Sequence, residues 1–172
     1  MAHLVLTGFM ATGKTEVGRR LARALGRPFV DTDSLVEGAA GRSIAELFAG
    51  EGEERFRARE RLAVEEACSV PDAVIATGGG TLLDPENRRR LAAAGPIICL
   101  AADAEVILRR VGNPSSRPLL AGRNGLGDRL SCIRALLDER ASAYAVATHT
   151  VDTSGLEIEQ VVERVRALAG GR

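Results

Sequence analysis

The stretch His3-Leu4-Val5-Leu6-Thr7, running into Gly8-Phe9-Met10-Ala11-Thr12-Gly13-Lys14-Thr15, decides the fold. The first five residues are nearly all apolar or β-favouring, as expected of a parallel strand covered on both faces. The next eight match G-x-x-x-x-G-K-[ST], and behind them Val17, Leu21 and Leu25 recur at helical spacing until Gly26 stops the run. A strand, a glycine-rich turn and a helix in that order form a phosphate cradle: the glycines let successive N–H groups converge, and the helix N-terminus adds unpaired donors and partial positive charge. Gly8, Ala11, Thr12, Gly13, Lys14, Thr15 and Glu16 are therefore the candidate nucleotide-binding residues. In this reading Lys14 reaches the β- and γ-phosphates and the Thr15 hydroxyl ligates Mg²⁺. The bland alternative is a glycine-rich turn that binds nothing.

Composition argues against that alternative. Of the 23 basic residues, 22 are Arg and one is Lys. A chain that uses Arg wherever a positive charge is wanted has kept a single compact ammonium, at Lys14, where a planar guanidinium would not fit. The lone lysine also leaves no Asn-Lys-x-Asp guanine-recognition motif, which favours ATP over GTP.

Working outward, β-rich and helical patterns alternate to the end of the chain. Strands are expected at Phe29–Asp31, Ala73–Ala76, Ile97–Leu100 and His149–Asp152. Helices are expected at 53–68, 85–94, 105–111, 129–146 and 158–168, with a short capped helix announced by Ser43-x-x-Glu46. Such alternation implies a three-layer α/β/α domain with a five-stranded parallel sheet and right-handed crossovers, over residues 1–172. Residues Gly112 to Gly127, with four Gly and two Pro and no periodicity, form the one long irregular stretch. A loop of that length in a small domain is expected to serve as a mobile lid.

The 172 residues are 45% apolar and 27% charged, with 23 basic and 23 acidic side chains. That balance gives no basic surplus for nucleic acid or anionic membrane. Four Phe, one Tyr and no Trp leave little material for base stacking or aromatic interface anchors, so a monomer is expected. No apolar run reaches the roughly 20 residues of a membrane span, and the N-terminus lacks a secretory pattern, so the expected compartment is the cytoplasm. Cys68, Cys99 and Cys132 form no close pair, and His3 and His149 stand alone, which sets aside disulfide scaffolds, zinc sites and triad hydrolases.

An acceptor side can also be read. Asp31-Thr32-Asp33 closes the second strand, where residues two apart point the same way, so both carboxylates are expected at one pocket on the carboxyl edge of the sheet. A hydrated Mg²⁺ at one and a substrate hydroxyl at the other would relieve their repulsion. Capping of the following helix by Asp33 or Ser34 is the alternative. Gly78-Gly79-Gly80 permits close backbone approach to a ligand, or is merely a flexible strand exit. Arg57 and Arg140 offer forks for a planar carboxylate, whereas Arg59 and Arg61 read as solvated.

Taken in order, these segments resemble shikimate kinase, in the nucleoside-monophosphate-kinase-like branch of P-loop proteins. The segments that carry the resemblance are Gly8–Thr15, Asp31-Thr-Asp33, Gly52-Glu-x-x-Phe56-Arg57-x-x-Glu60, Ala76-Thr-Gly-Gly-Gly80, Arg117-Pro-Leu-Leu120, Arg140-x-x-x-Tyr144 and Val151-Asp-Thr-Ser154. The resemblance implies transfer of the ATP γ-phosphoryl group to the 3-hydroxyl of shikimate, with Mg²⁺, on the way to chorismate and the aromatic amino acids. It implies a substrate-binding subregion at about 33–61 and a lid at about 112–127. Asp33 would accept the hydroxyl proton, Lys14 and Arg117 would complete the catalytic set, and Asp31 with Thr15 would hold the metal. Arg57, Arg140 and the Gly78, Gly79 and Gly80 amides would bind shikimate, while Arg110 and the Val151–Ser154 segment would flank adenine. Arg117→Ala is expected to lower turnover far more than ATP affinity. The chain departs from the family pattern at Ser115-Ser116, Ala143 and after Ser154. Related kinases acting on gluconate or a nucleoside monophosphate, and a nucleotide-binding regulatory module without transfer activity, are the competing readings.

Overall fold

The computed structural model describes residues 2–112, 118–120 and 125–170. Strand β1 (Leu4–Gly8) is fully buried along its length and lies at the centre of a five-stranded, all-parallel sheet of order β2-β3-β1-β4-β5. The other strands are β2 (Phe29–Asp31), β3 (Val74–Ala76), β4 (Ile97–Ala101) and β5 (His149–Asp152). Helices α1 (Lys14–Leu25), α2 (Thr32–Ala40), α3 (Ile44–Ser69), α4 (Pro85–Ala94), α5 (Ala104–Arg110), α6 (Leu126–Tyr144) and α7 (Ile158–Gly170) make the connections that parallel strands require. Short 3₁₀ turns occupy Thr81–Leu83 and Pro118–Leu120.

The apolar alternation of β1 sorts the core into two layers. Leu4 and Leu6 pack with Val17 and Leu21 of α1 and Val161 and Val165 of α7. Val5 faces the opposite way, toward Val64 and Ala67 of α3, Leu91 of α4 and Ala143 of α6. The period-2 side-chain pattern of the strands is thus matched by helices on both faces, which is the three-layer arrangement expected from the sequence. A third cluster joins Phe9 to α5 and α6 through Ile107, Val111, Leu120 and Ile133.

Two helical signals read from the sequence have identifiable local causes. Ser43 Oγ accepts from the Glu46 amide at 3.2 Å while the Ser43 amide donates to Glu46 Oε2 at 2.7 Å, completing a capping box. The long helix that follows is broken at Gly52 (φ 82°, ψ 171°), so the two expected helices meet end to end in one element. All five strands run parallel, so their C-terminal ends share one edge. Because chain progression reverses direction at β1, a crevice opens there, where ligands of such sheets bind.

Candidate active site

The turn after β1 leaves the sheet at Gly8, whose φ of 138° and close approach to β4 exclude any side chain: a Cβ would lie 2.1 Å from the Leu100 carbonyl oxygen. Two further positive-φ residues, Ala11 (φ 58°) and Gly13 (φ 89°), curl the backbone into a nest. Gly13 begins α1 without a capping side chain, so the first-turn amides face the crevice uncapped. Lys14 Nζ and Thr12 Oγ1 both donate to the Phe9 carbonyl at 2.8 Å, which fixes the curvature of the loop.

Thr15 Oγ1 donates to Asp31 Oδ2 at 2.7 Å, and both residues border a cavity of about 280 Å³ shared with Lys14, Glu16, Asp33, Thr77 and Gly79. Two hard oxygen donors side by side suit a small divalent cation whose remaining ligands are phosphate oxygens and water. Among the described residues no cluster of three or more His, Cys, Asp or Glu side chains gathers to hold a metal by protein atoms alone. Glu16 itself is half-exposed and engaged by Arg20 at 2.6 Å.

The Asp-Thr-Asp segment corrects the sequence reading. The strand ends at Asp31, whose Oδ1 accepts from the Asp33 amide at 3.0 Å and the Ser34 amide at 3.3 Å, so Asp31 is the N-cap of α2. Neither Asp33 nor Ser34 is the cap. Asp33 stands in the first helical turn rather than two residues along a strand, so the shared pocket comes from the strand-to-helix corner, not from β alternation. Burial, reinforced by the charges of Asp31, Glu60 and Glu37 and opposed by Lys14, pushes the Asp33 carboxyl up to about 6. A carboxylate of that basicity is ionised at neutral pH yet well placed to take a proton.

Beside it lies a cavity of about 470 Å³, within the range of small-molecule sites. Its floor is Gly78-Gly79-Gly80, and each glycine answers to a functional side chain. A Cβ on Gly78 would meet Asp33 Oδ1 at 2.7 Å, one on Gly79 would meet an Arg140 guanidinium nitrogen at 3.1 Å, and one on Gly80 would meet those of Arg57 at 2.6 and 2.8 Å. The triplet is bare because three side chains occupy the space, so the flexible-exit reading does not describe it. Arg57 is held by Glu60 at 2.9 Å and Glu53 at 3.2 Å and lies 5.3 Å over the Phe56 ring. Glu60 is 1% exposed, and its other oxygen accepts from Thr81 Oγ1 at 2.7 Å. Arg140, from α6, is 3% exposed with its guanidinium 5.3 Å over the Phe9 ring. Phe48 and Phe56, ring centroids 4.6 Å apart, supply an apolar wall.

On the far side of the cradle a cavity of about 650 Å³ is lined by Thr12, Gly13, Arg110 and residues Thr153 to Ile158. Arg110 donates to Thr153 Oγ1 at 3.0 Å and to the Thr153 carbonyl at 2.9 Å, presenting its planar group along that wall.

The structure thus gathers the cradle, Asp31, Asp33, Arg57, the glycine triplet and Arg140 around one crevice, with Arg110 at its other end. Arg59 pairs with Glu51 and Arg61 with Asp84 on the outer surface, away from the cavity. Arg117 and most of the expected lid lie outside the described residues; within that segment Leu119 lines the 470 Å³ cavity and Leu120 is buried against Phe9. Three contributors carried no role in the sequence reading: Glu60, Thr81 and Tyr144, whose hydroxyl donates to the Gly79 carbonyl at 2.6 Å. Glu60, three residues after Arg57, bore the spacing of a helical ion pair, and Tyr144 stood one turn after Arg140 in the Arg140-x-x-x-Tyr144 segment; Thr81 bore no local signal.

Comparison with known proteins agrees with this geometry. A family model for shikimate kinase matches residues 10–169. Shikimate kinase from Pelotomaculum thermopropionicum is 48% identical over 165 residues, covering 96% of this chain and 94% of that one. The structure of shikimate kinase from Acinetobacter baumannii in complex with shikimate superposes with a TM-score of 0.92 at 35% identity, covering 98% of this chain and 93% of that one. That of shikimate kinase from Bacteroides thetaiotaomicron does so at 0.90 and 32% identity, covering 98% of each chain. With a strand–loop–helix cradle, a basic carboxylate and a two-arginine pocket on one sheet edge, and likeness along nearly its whole length, the chain belongs to the shikimate kinase family.

Proposed function

We propose that this protein transfers the γ-phosphoryl group of ATP to the 3-hydroxyl of shikimate, releasing ADP and shikimate 3-phosphate. One observation carries the reading: Met10, Asp33 and Gly79 line both the cavity beside Lys14 and the cavity that holds Arg57 and Arg140. Asp33 is therefore the carboxylate at the boundary between a phosphate-binding space and an anion-binding space. That is the position a proton acceptor for the attacking hydroxyl must occupy.

Arg57 and Arg140 clamp the acceptor carboxylate, and the Gly78–Gly80 amides and Asp33 receive its hydroxyls. Asp33 takes the 3-hydroxyl proton as that oxygen bonds to the γ-phosphorus and the bond to the β–γ bridging oxygen breaks. Lys14 and the loop amides neutralise the charge spread over the equatorial oxygens, which is most of what phosphoryl transfer asks of a protein. Thr15 and Asp31 would hold a hydrated Mg²⁺, which when bound would supply further positive charge to offset that of the nucleotide phosphates. Arg110 and the Val151–Ser154 segment flank the adenine, and Arg117, outside the described residues, is assigned with the segment at about 112–127 to the phosphates as a lid. We place the enzyme in the cytoplasm as a monomer; among the described residues no helix is long and apolar enough to cross a membrane.

The test is ADP release with ATP and Mg²⁺ against a panel of acceptors. Shikimate is expected to stimulate it strongly, and gluconate and AMP are not. Stimulation by gluconate or AMP but not by shikimate would reject the proposal. ADP release independent of any acceptor would point to a regulatory nucleotide-binding module.

A further inference from the structure

Arg140 is held in a way that neither the cradle nor the glycine triplet explains. Its side chain is 3% exposed, and its Nε has no hydrogen-bond partner. A guanidinium taken that far out of water is costly unless something offsets the lost hydration. Among the described residues, two aromatic side chains lie against it. The Arg140 central carbon lies over the Phe9 ring, 5.3 Å from its centroid, and that ring is itself 1% exposed, wedged among Ile107, Val111, Leu120 and Ile133. The Tyr144 hydroxyl lies within hydrogen-bonding range of Arg140 while it donates to the Gly79 carbonyl at 2.6 Å. Arg140, the middle glycine of the triplet and the second residue of the phosphate loop are thereby locked to one another.

We propose that Phe9 and Tyr144 are positioning residues for acceptor binding, forming a buried seat that holds the Arg140 guanidinium beside Gly79 and ready for a carboxylate. An aromatic ring under the cation can stabilise a desolvated guanidinium without consuming any N–H group, so the donors Arg140 needs for the substrate stay available. The Tyr144 hydroxyl sets the height of the Gly79 carbonyl and the edge of the guanidinium together. Burial pushes that phenol up to about 12, so it remains a donor throughout the physiological range. Phe9 has a second duty: its carbonyl is the acceptor for both Lys14 and Thr12, so the same residue shapes the nucleotide side of the crevice with its backbone and the acceptor side with its ring.

The proposal rests on Arg140 binding the acceptor carboxylate, and the variants separate the two ideas. Phe9→Leu keeps the apolar volume and loses the ring, and Tyr144→Phe keeps the ring and loses the hydroxyl. Each is expected to raise KM for shikimate, roughly tenfold for Phe9→Leu and about three- to tenfold for Tyr144→Phe, with kcat and KM for ATP within twofold. Arg140→Ala is expected to raise shikimate KM more than either, and adding Phe9→Leu or Tyr144→Phe to it is expected to change shikimate KM no further. If Arg140→Ala leaves shikimate KM unchanged, the carboxylate clamp is wrong and the seat falls with it. If Arg140→Ala raises KM but the single variants do not, or if they add their full effect in its absence, the clamp stands and the seat is overturned. Should Phe9→Leu fail to fold, Tyr144→Phe, alone and combined with Arg140→Ala, decides between the same outcomes.

Discussion

Gly80→Ala isolates the Arg57 contact from everything else in the pocket. Gly80 has φ −104° and ψ 1°, a conformation alanine adopts without strain, so the backbone has no reason to move. The added methyl would stand 2.6 and 2.8 Å from the two terminal nitrogens of Arg57 and 3.0 Å from its central carbon. Ordinary contact between such atoms needs about 3.5 Å, so the guanidinium must retreat by roughly 1 Å. The clashing atoms are the far end of the Arg57 side chain, held by Glu60 and Glu53, and the rest of the core keeps its packing. A fork displaced by that distance cannot make both hydrogen bonds to a planar carboxylate at good length, and losing a charge-assisted bond of that kind costs about 2 kcal/mol. That converts to roughly a thirtyfold rise in KM for shikimate. Folding stability should change by no more than about 1 kcal/mol, because loosening the pair with buried Glu60 is offset by alanine's restriction of the unfolded chain. Steady-state kinetics with each substrate varied, beside a thermal melt, measure all of this. A shikimate KM within twofold of the parent would refute the reasoning, as would a matching rise in ATP KM or a melting temperature lowered by many degrees.

Asp33→Asn should trade activity for stability. The carboxyl is raised from about 3.8 to about 6, so the folded state binds more protons than the unfolded chain between those values and stability falls as pH rises through that window. Well above pH 6 the ionised group is a net burden of up to about 3 kcal/mol, and the amide should recover it in a denaturant titration at pH 8, with little gain at pH 3.5. In the parent enzyme the same group makes kcat/KM for shikimate fall as pH drops through about 6, and a flat profile between pH 5 and 7.5 would remove Asp33 as the proton acceptor. Lys14→Met should lower kcat by on the order of a hundred- to a thousandfold with the fold intact by circular dichroism, and a variant near full speed would dismiss the cradle. Arg110→Ala should raise KM for ATP severalfold and leave KM for shikimate within twofold, because the Arg110 contacts lie at Thr153, on the far wall from Arg57 and Arg140.

Much of this molecule is decided by short-range pattern. The β1 run, the two glycines bounding the loop and the solitary Lys14 determine a strand, a nest and a helix N-terminus within the thirteen residues His3–Thr15, because the hydrogen bonds that make a phosphate cradle are all local. The capping box at Ser43 and the stop at Gly26 are local for the same reason. Tertiary structure decided what lies opposite what. That Gly78, Gly79 and Gly80 are bare on account of Asp33, Arg140 and Arg57 respectively depends on elements 45, 61 and 23 positions apart, and only packing of α2, α3 and α6 on the sheet edge brings them within contact. The corner at Asp31 shows the limit from the other side. Two residues of spacing correctly put both carboxylates in one pocket, but through a helix cap rather than strand alternation, since Asp31 could satisfy two amides only by starting a helix. Glu60, Phe9 and Tyr144 stand in segments legible in the chain, but the roles of these residues, and of Thr81, are not. They acquire roles because a buried guanidinium must be held by whatever surrounds it, and which residues surround it is settled by the three-dimensional fold alone.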